Sequence, residues 1–341
     1  MRLTRRRGLI AGLLLAGFVA AGGFAWGQLQ RYASEPVKIA VEATPITSFD
    51  TRDPAQLRFG ALTFRGGLVL TSNHPAFGGI SGLHIEADGA RFIAVTDRGS
   101  WLRGRIVYDN GKPVGVADAE LAPILGADGT PLAAHKWFDT ESLTERDGML
   151  YVGIERVEQI VRFNYRRDGL KARGEVVKVP ADFKSFARNK SLECLASPPK
   201  GAPRAGELIA VTEESLDATG NLRAFVLDGA ETTRFSVKRT DEFAVSDCAI
   251  LPPGDLLLLE RRYSVARGVA MRIRRVPLQA IKEGALVDGP PLIEADLAYQ
   301  IDNMEGIAVS RTRDGETVLT LVSDDNFAPI QRNLLLQFTL D

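Results

Sequence analysis

Cysteine, histidine and tryptophan are scarce in this 341-residue chain, at two, three and three copies. Two cysteines cannot supply a disulfide scaffold or a four-thiolate zinc site, and none of His74, His84 and His135 stands at a metal-ligand spacing from another. The three histidines are read as ordinary side chains. Net charge is almost absent too: 42 Lys and Arg face 43 Asp and Glu, and without the four arginines before residue 8 the balance is 38 against 43. That excludes a basic surface, and with it nucleic acid as a partner. There is no Gly-x-x-x-x-Gly-Lys phosphate loop, and Gly79-Ile80-Ser81-Gly82-Leu83 lacks the final glycine of a serine nucleophile elbow. A Ser–His–Asp set has no local support. A composition of 45% hydrophobic and 25% charged residues excludes a disordered tail, a fibre and a polytopic membrane protein.

What is present begins with an address. Arg5-Arg6-Arg7 precede an apolar run from Gly8 to Trp26, the charged-then-apolar order of a secretory signal. Arg6-Arg7-Gly8-Leu9-Ile10 also resembles a twin-arginine export signal, at even odds with the general route. Residues 1–30 are therefore expected to be either a cleaved signal peptide or an N-terminal membrane anchor, since 19 apolar residues nearly span a bilayer. In both cases residues 35–341 are expected in the periplasm or outside the cell, with a membrane contact only through residues 8–26 if they are retained. The body is expected to be monomeric.

The body repeats. Ile80-Ser81-Gly82-Leu83, Thr140-Glu141-Ser142-Leu143, Leu192-Glu193-Cys194-Leu195, Ser246-Asp247-Cys248-Ala249 and Met304-Glu305-Gly306-Ile307 each place a polar residue before a small and an apolar one. Successive polar positions lie 60, 52, 54 and 58 residues apart. Each unit continues into an apolar run that ends in charge: Phe92–Asp97, Leu150–Glu155, Leu208–Glu213, Leu256–Glu260 and Leu319–Asp324. Asp88-Gly89, Asp147-Gly148, Pro253-Gly254 and Asp314-Gly315 precede four of these runs and suit tight hairpins. With further strand-like stretches behind them, such as Gly104–Tyr108 and Val269–Val276, this makes about four strands per period, the pattern of a β-propeller blade. The arithmetic predicts an all-β propeller of five blades, its ring closed by pairing Leu62–Leu70 with the C-terminal strands. Six blades follow instead if residues 37–72 supply more than one outer strand.

In such a ring the recurrent charges converge on one channel. Glu141, Glu193, Asp247 and Glu305, with Ser81 in the fifth place, form one circle; Asp97, Glu155, Glu213, Glu260 and Asp324 form the other. So many carboxylates repel one another unless compensated. Arg98, Arg156, Arg261 and Arg262 directly follow second-circle acids and are candidates to pair with them, the first three also to bind substrate. A divalent cation is the other compensation, and oxygen-only donors suit Ca²⁺ or Mg²⁺. Candidate ligands are Glu141, Glu193, Asp247 and Glu305, with Asp324, Asp325 and Asn326 as the densest donor cluster. The competing readings are blade-locking acid–arginine pairs and, for Asp324-Asp325-Asn326, an Asx-rich turn. Cys194 and Cys248 fill the slot held elsewhere by Gly82, Ser142 and Gly306, so free thiols acting as small side chains are preferred here to a disulfide.

Phe77-Gly78-Gly79-Ile80-Ser81-Gly82-Leu83, Val95-Thr96-Asp97-Arg98-Gly99, Asp139-Thr140-Glu141-Ser142-Leu143, Asp302–Val309 and Leu321–Phe327 together resemble the bacterial phytase-like family, "esterase-like activity of phytase". The likeness spans about residues 55–341. It implies an exported or membrane-tethered propeller that hydrolyses ester or phosphomonoester bonds; no catalytic residue is carried over from it. Two functions compete. One is a metal-dependent hydrolase of a small ester, lactone or phosphoester, in which Ca²⁺ polarises the reacting oxygen and Glu155 or Glu213 activates water. The other is a non-catalytic binding scaffold at the cell envelope.

Overall fold

The computed structural model describes residues 35–186, 190–229, 231–265 and 268–341. The expected signal or anchor, residues 1–30, lies outside them. Among the described residues no helix is long and apolar enough to cross a membrane.

Five sheets follow one another along the chain, antiparallel except where Leu286–Val287 adds in parallel to the outer edge of the third. Blade 1 runs from its inner strand Ile80–Ile85 through Arg91–Thr96 and Ser100–Asp109 to Lys112–Pro123. Blade 2 comprises Thr140–Arg146, Met149–Ile154, Gln159–Phe163 and Gly174–Val177. Blade 3 comprises Leu192–Ala196, Leu208–Leu216, Leu222–Asp228 and Glu231–Val237. Blade 4 comprises Ala244–Leu251, Asp255–Ser264, Gly268–Pro277 and Pro291–Asp296. Blade 5 takes Asn303–Arg311, Thr317–Asp324 and Asn333–Leu340 from the C-terminal end of the chain and Leu62–Thr71 from the N-terminal side. Leu334 faces Val69 and Leu336 faces Gly67 across that seam, so the two ends close the ring as the sequence predicts.

The further N-terminal strands build no sixth blade. Val37–Lys38 adds to the outer edge of blade 1, and Glu42–Ile46 adds to the outer edge of blade 5. Five apolar clusters fill the five gaps between neighbouring blades. An open arc of five sheets would have only four such gaps. Cys194 sits in the cluster between blades 3 and 4, and the rings of Phe49, Phe59, Phe64 and Phe338 pack in that between blades 4 and 5. Burial of these faces drives the ring shut. The Asp147-Gly148 turn holds both residues at positive φ, 53° and 85°, as a tight hairpin demands. The Pro253-Gly254 turn instead follows a cis Pro252–Pro253 peptide.

The cysteines correct the expectation of free thiols: Cys194 and Cys248 form a disulfide, with Cα atoms 5.1 Å apart. The two cysteines do not share one slot: the ladder matches Cys194 with Asp247, and Cys248 follows it. The inner strands of adjacent blades touch there, and Cys194 points at Cys248, the residue after the matching position in blade 4. Asp247 in blade 4 reaches the Ile307 backbone of blade 5 in the same way, and a Cβ on Gly82 would lie 2.6 Å from the Leu143 nitrogen of blade 2. The bond links two sheets 54 residues apart in sequence. Replacing both cysteines with serine is expected to cost about 2–4 kcal/mol. Urea unfolding checks this: the wild type under reductant should fall to the stability of the double variant, and a variant as stable as the oxidised protein would refute it.

Candidate functional site

Each inner strand carries a β-bulge at the same depth, and the bulge decides which side chains face the axis. The ladder register slips between Thr140 and Ser142, Leu192 and Cys194, Val245 and Asp247, and Met304 and Gly306, and between Ile80 and Leu83 in blade 1. The extra residues are Glu141, Glu193, Ser246 and Glu305, with Ser81 in blade 1. Across the ladder, Ile80, Thr140, Leu192, Val245 and Met304 pair with Thr96, Ile154, Thr212, Glu260 and Ser323. The residues that follow are Asp97, Glu155, Glu213, Arg261 and Asp324.

Blade 4 therefore departs from the expected circles by one residue on each strand. Ser246, not Asp247, takes the bulge, and its hydroxyl donates to the Met304 carbonyl at 2.8 Å. Asp247 is fully buried, and its Oδ2 accepts from the Ile307 nitrogen at 2.7 Å. Burial pushes its carboxyl well above the ordinary range. Arg261, not Glu260, takes the second-circle position. Glu260 is fully buried away from it, gripped by Arg272 Nε at 2.8 Å and Arg274 Nε at 2.7 Å. Because Arg274 also reaches the Lys238 carbonyl behind blade 3, Glu260 has the blade-locking role.

The remaining acids do converge. One oxygen from each of Glu155, Glu193 and Glu213 lies within 4.8 Å of the others. Glu155 Oε1 accepts from the Ser191 nitrogen at 2.6 Å. Glu193 is 4% exposed and, among the described residues, its carboxylate has no hydrogen-bond or ion-pair partner. Glu213 Oε1 lies 3.0 Å from Arg261 Nη2, and Arg261 Nη1 lies 2.6 Å from both Glu305 Oε1 and Asn303 Oδ1. Asn303 Nδ2 donates to Glu305 Oε1 at 2.8 Å, while Glu305 Oε2 is buried without a partner. Arg261 is thus the cation that the cluster shares.

One cation does not balance the cluster, and the carboxyls hold their protons accordingly. Burial, followed by repulsion from Glu213 and Asp139, pushes Glu155 up to about 8. Burial raises Glu141 and Glu193 well above the usual range, each with repulsion from neighbouring ring acids. Glu305 is raised by burial against the pull of Arg261, to about 7. Burial and then Asp97 and Glu305 push Asp324 to about 9, and Asp97 itself rises to about 6 for burial first.

Arg98 and Arg156 do not pair with the ring acids. The Arg98 guanidinium lies 3.2 Å over the Phe327 ring and Arg156 lies 4.3 Å over Phe138. The Asp324-Asp325-Asn326 cluster divides. Asp324 points into the ring, with Oδ1 accepting from the Asn326 nitrogen at 2.7 Å. Asp325 straps blade 5 to blade 1: its oxygens accept from the nitrogens of Gly79 and Phe327 and from Asn333 Nδ2. That strap explains Gly78, where a Cβ would sit 2.7 Å from Asp325 Oδ1 on a backbone at φ 128°. Asn326 lines a cavity of about 810 Å³ that opens beside Glu213, Arg261 and Asn303.

Three contributors escaped sequence reasoning. Asp139 precedes Glu141 at φ 67°, its nitrogen bonded to the Asp97 carbonyl and its carbonyl to the Glu155 nitrogen, and burial raises its carboxyl. Asn303 orients Glu305, and Ser191 presents its nitrogen to Glu155. Proximity in sequence to Glu141, Glu305 and Glu193 was the available signal.

Among solved structures, the chain is similar to the PQQ-bound aldose sugar dehydrogenase from Streptomyces coelicolor, at 12% identity over 91% of this chain and 99% of that one, TM-score 0.42. It is also similar to the WD40 domain of coronin from Toxoplasma gondii, at 10% identity over 90% of this chain and 87% of that one, TM-score 0.35. Neither likeness bears on ligand or activity. No curated protein matches the sequence. A family model described as "Phytase-like: Esterase-like activity of phytase" matches residues 75–327, from the glycine strap at Gly78 through all five inner strands to Phe327, and the chain belongs to that family.

Proposed function

We propose that the protein is an exported hydrolase of ester bonds that works at the mouth of the axial channel with a divalent cation, Ca²⁺ by its donor set. The observation that carries the reading is the meeting of Glu155, Glu193 and Glu213 within 4.8 Å, with Glu193 buried and without a partner among the described residues. The donors fit a hard cation: all are carboxylate oxygens, and no histidine or thiol stands among them. When bound there, the cation would polarise the oxygen of the scissile ester. Glu305 suits the base better than the residues first considered for it. Its Oε2 has no partner, its carboxyl lies at about 7, and Arg261 with Asn303 holds its other oxygen. It takes the proton of an attacking water, while Arg261 stabilises the carboxylates on either side. Lactones and phosphomonoesters share this chemistry. The family description supports ester hydrolysis, and the Cys194–Cys248 bond supports an oxidising, exported setting. The scaffold reading draws its support from Glu260, a buried acid within the second strand of blade 4 whose arginine partners tie blade 4 to blade 3.

The test is thermal unfolding with EDTA and with added Ca²⁺. Saturating calcium is expected to raise Tm by about 5 °C. Glu193→Gln should remove more than half of that rise while leaving the metal-free protein folded. No rise in the wild type would overturn the reading.

A further inference from the structure

Beside the carboxylate ring, the 810 Å³ cavity is large enough for a ligand of drug size, and its chemistry is unlike that of a phosphate site. Three of the four cations that line it are paired with acids. Lys190 pairs with Glu214, Arg261 with Glu213 and Glu305, and Arg332 with Asp302. Arg262 lies over the Phe243 ring and donates to the Asp241 carbonyl. A polyanion would have to break the three acid pairs and then face Glu213, which has Glu193 and Glu155 within 4.8 Å of it. A divalent cation held by those three carboxylates would only partly offset them.

Apolar side chains line the same cavity. Tyr263, Leu297 and Ile330 line the cavity with 74%, 59% and 90% of their surface exposed, and Val269 and Ile301 lie beside them. The three exposed side chains come from the second strand of blade 4, the segment before blade 5 and the loop within blade 5. Three exposed large apolar side chains from separate stretches of chain therefore line one opening together with Glu213 and Arg261, which marks a ligand surface. We infer that the cavity takes the apolar acyl part of an uncharged carboxylic ester, with the ester group at the Glu213–Arg261 floor, and rejects inositol phosphates and other polyanions. This inference rests on the hydrolase reading given above and narrows its substrate class.

The full chain with Ca²⁺ is assayed on p-nitrophenyl acetate, butyrate and octanoate and on p-nitrophenyl phosphate. From acetate to butyrate kcat/KM is expected to rise about tenfold, since each buried methylene adds about 0.8 kcal/mol, and phosphate is expected to be the poorest substrate. Leu297→Ser/Ile330→Ser should bring the butyrate-to-acetate ratio to about 2. A second arm needs no turnover: binding of neutral N-phenyl-1-naphthylamine, followed by its fluorescence. That probe should bind the wild type, bind the double variant at least fivefold more weakly, and be displaced by ethyl octanoate but not by inositol hexakisphosphate. If no ester is hydrolysed but the probe behaves so, the hydrolase reading falls and the ligand class stands. Turnover independent of acyl length, preference for the phosphate, or probe binding indifferent to the substitutions would overturn the inference.

Discussion

Arg261→Leu is expected to destabilise the protein by about 3–5 kcal/mol at pH 8 and by much less at pH 5. Arg261 stands where the other four blades place a carboxylate, and it is the counter-charge to both Glu213 and Glu305. Both acids are largely buried, with side chains 13% and 7% exposed. Leucine keeps most of the packing volume but leaves two desolvated negative charges facing each other. Breaking a buried pair from one side costs more than removing both partners, because the orphaned charge keeps its desolvation penalty. Protonation relieves that penalty, so the loss should fade as the pH drops below the Glu305 value of about 7. Adding Glu305→Gln to Arg261→Leu should recover part of the loss at pH 8, since the cycle then removes one of the two stranded charges. Urea unfolding of the three proteins at both pH values decides the matter. An equal loss at pH 5 and pH 8 would mean that Arg261 acts by packing alone.

That same residue marks where the sequence could be read and where it could not. The propeller was legible because strand periodicity, turn dipeptides and a recurrent polar–small–apolar step all point to one repeat. Even the closing strand could be named, since the last repeat supplies three strands and its fourth has to come from the N-terminal side, where Leu62–Leu70 is the apolar run. The charges of blade 4 misled because matching by charge takes the nearest acid. Asp247 and Glu260 each stand one residue from the position that faces the axis, and only the ladder fixes that position. A signal was available in the spacing from the turn glycine: seven residues separate Gly148 from Glu155 and Gly254 from Arg261. The disulfide was hidden by the same slip, which put Cys194 and Cys248 in equivalent slots when they occupy successive ones. Asp325 is a candidate ligand by its oxygens, but they accept from two backbone nitrogens and the Asn333 amide, partners that no pattern of residue types reveals.

Without added metal, stability is expected to be highest near pH 5 and to fall steadily toward pH 9. The sign follows from the ring acids. A carboxyl whose folded value is raised binds its proton in the native state after the unfolded chain has lost it, so stability falls as pH rises between the two values. The interval opens at the ordinary value, 3.8 for the aspartates and 4.5 for the glutamates, and closes at about 6 for Asp97, 7 for Glu305, 8 for Glu155 and 9 for Asp324. Glu155 alone moves from 4.5 to about 8, which corresponds to on the order of 5 kcal/mol lost across that span. Below pH 4 the sign reverses. Hydrogen bonds from Ser236, Asn221 and Thr219 outweigh burial at Asp217 and hold its carboxyl at about 2, so its contribution is present above the ordinary 3.8 and lost on acidification. Calcium should invert the alkaline limb, because the cation binds the deprotonated carboxylates and competes with their protons. The increase in Tm on adding Ca²⁺ is therefore expected to be near zero at pH 5 and to grow through pH 8. Calorimetry across pH 4–9 with EDTA or Ca²⁺ reads both limbs. A metal-free stability that is flat from pH 5 to pH 9 would mean that the ring acids are solvated, and the case for a cation among them would go with it.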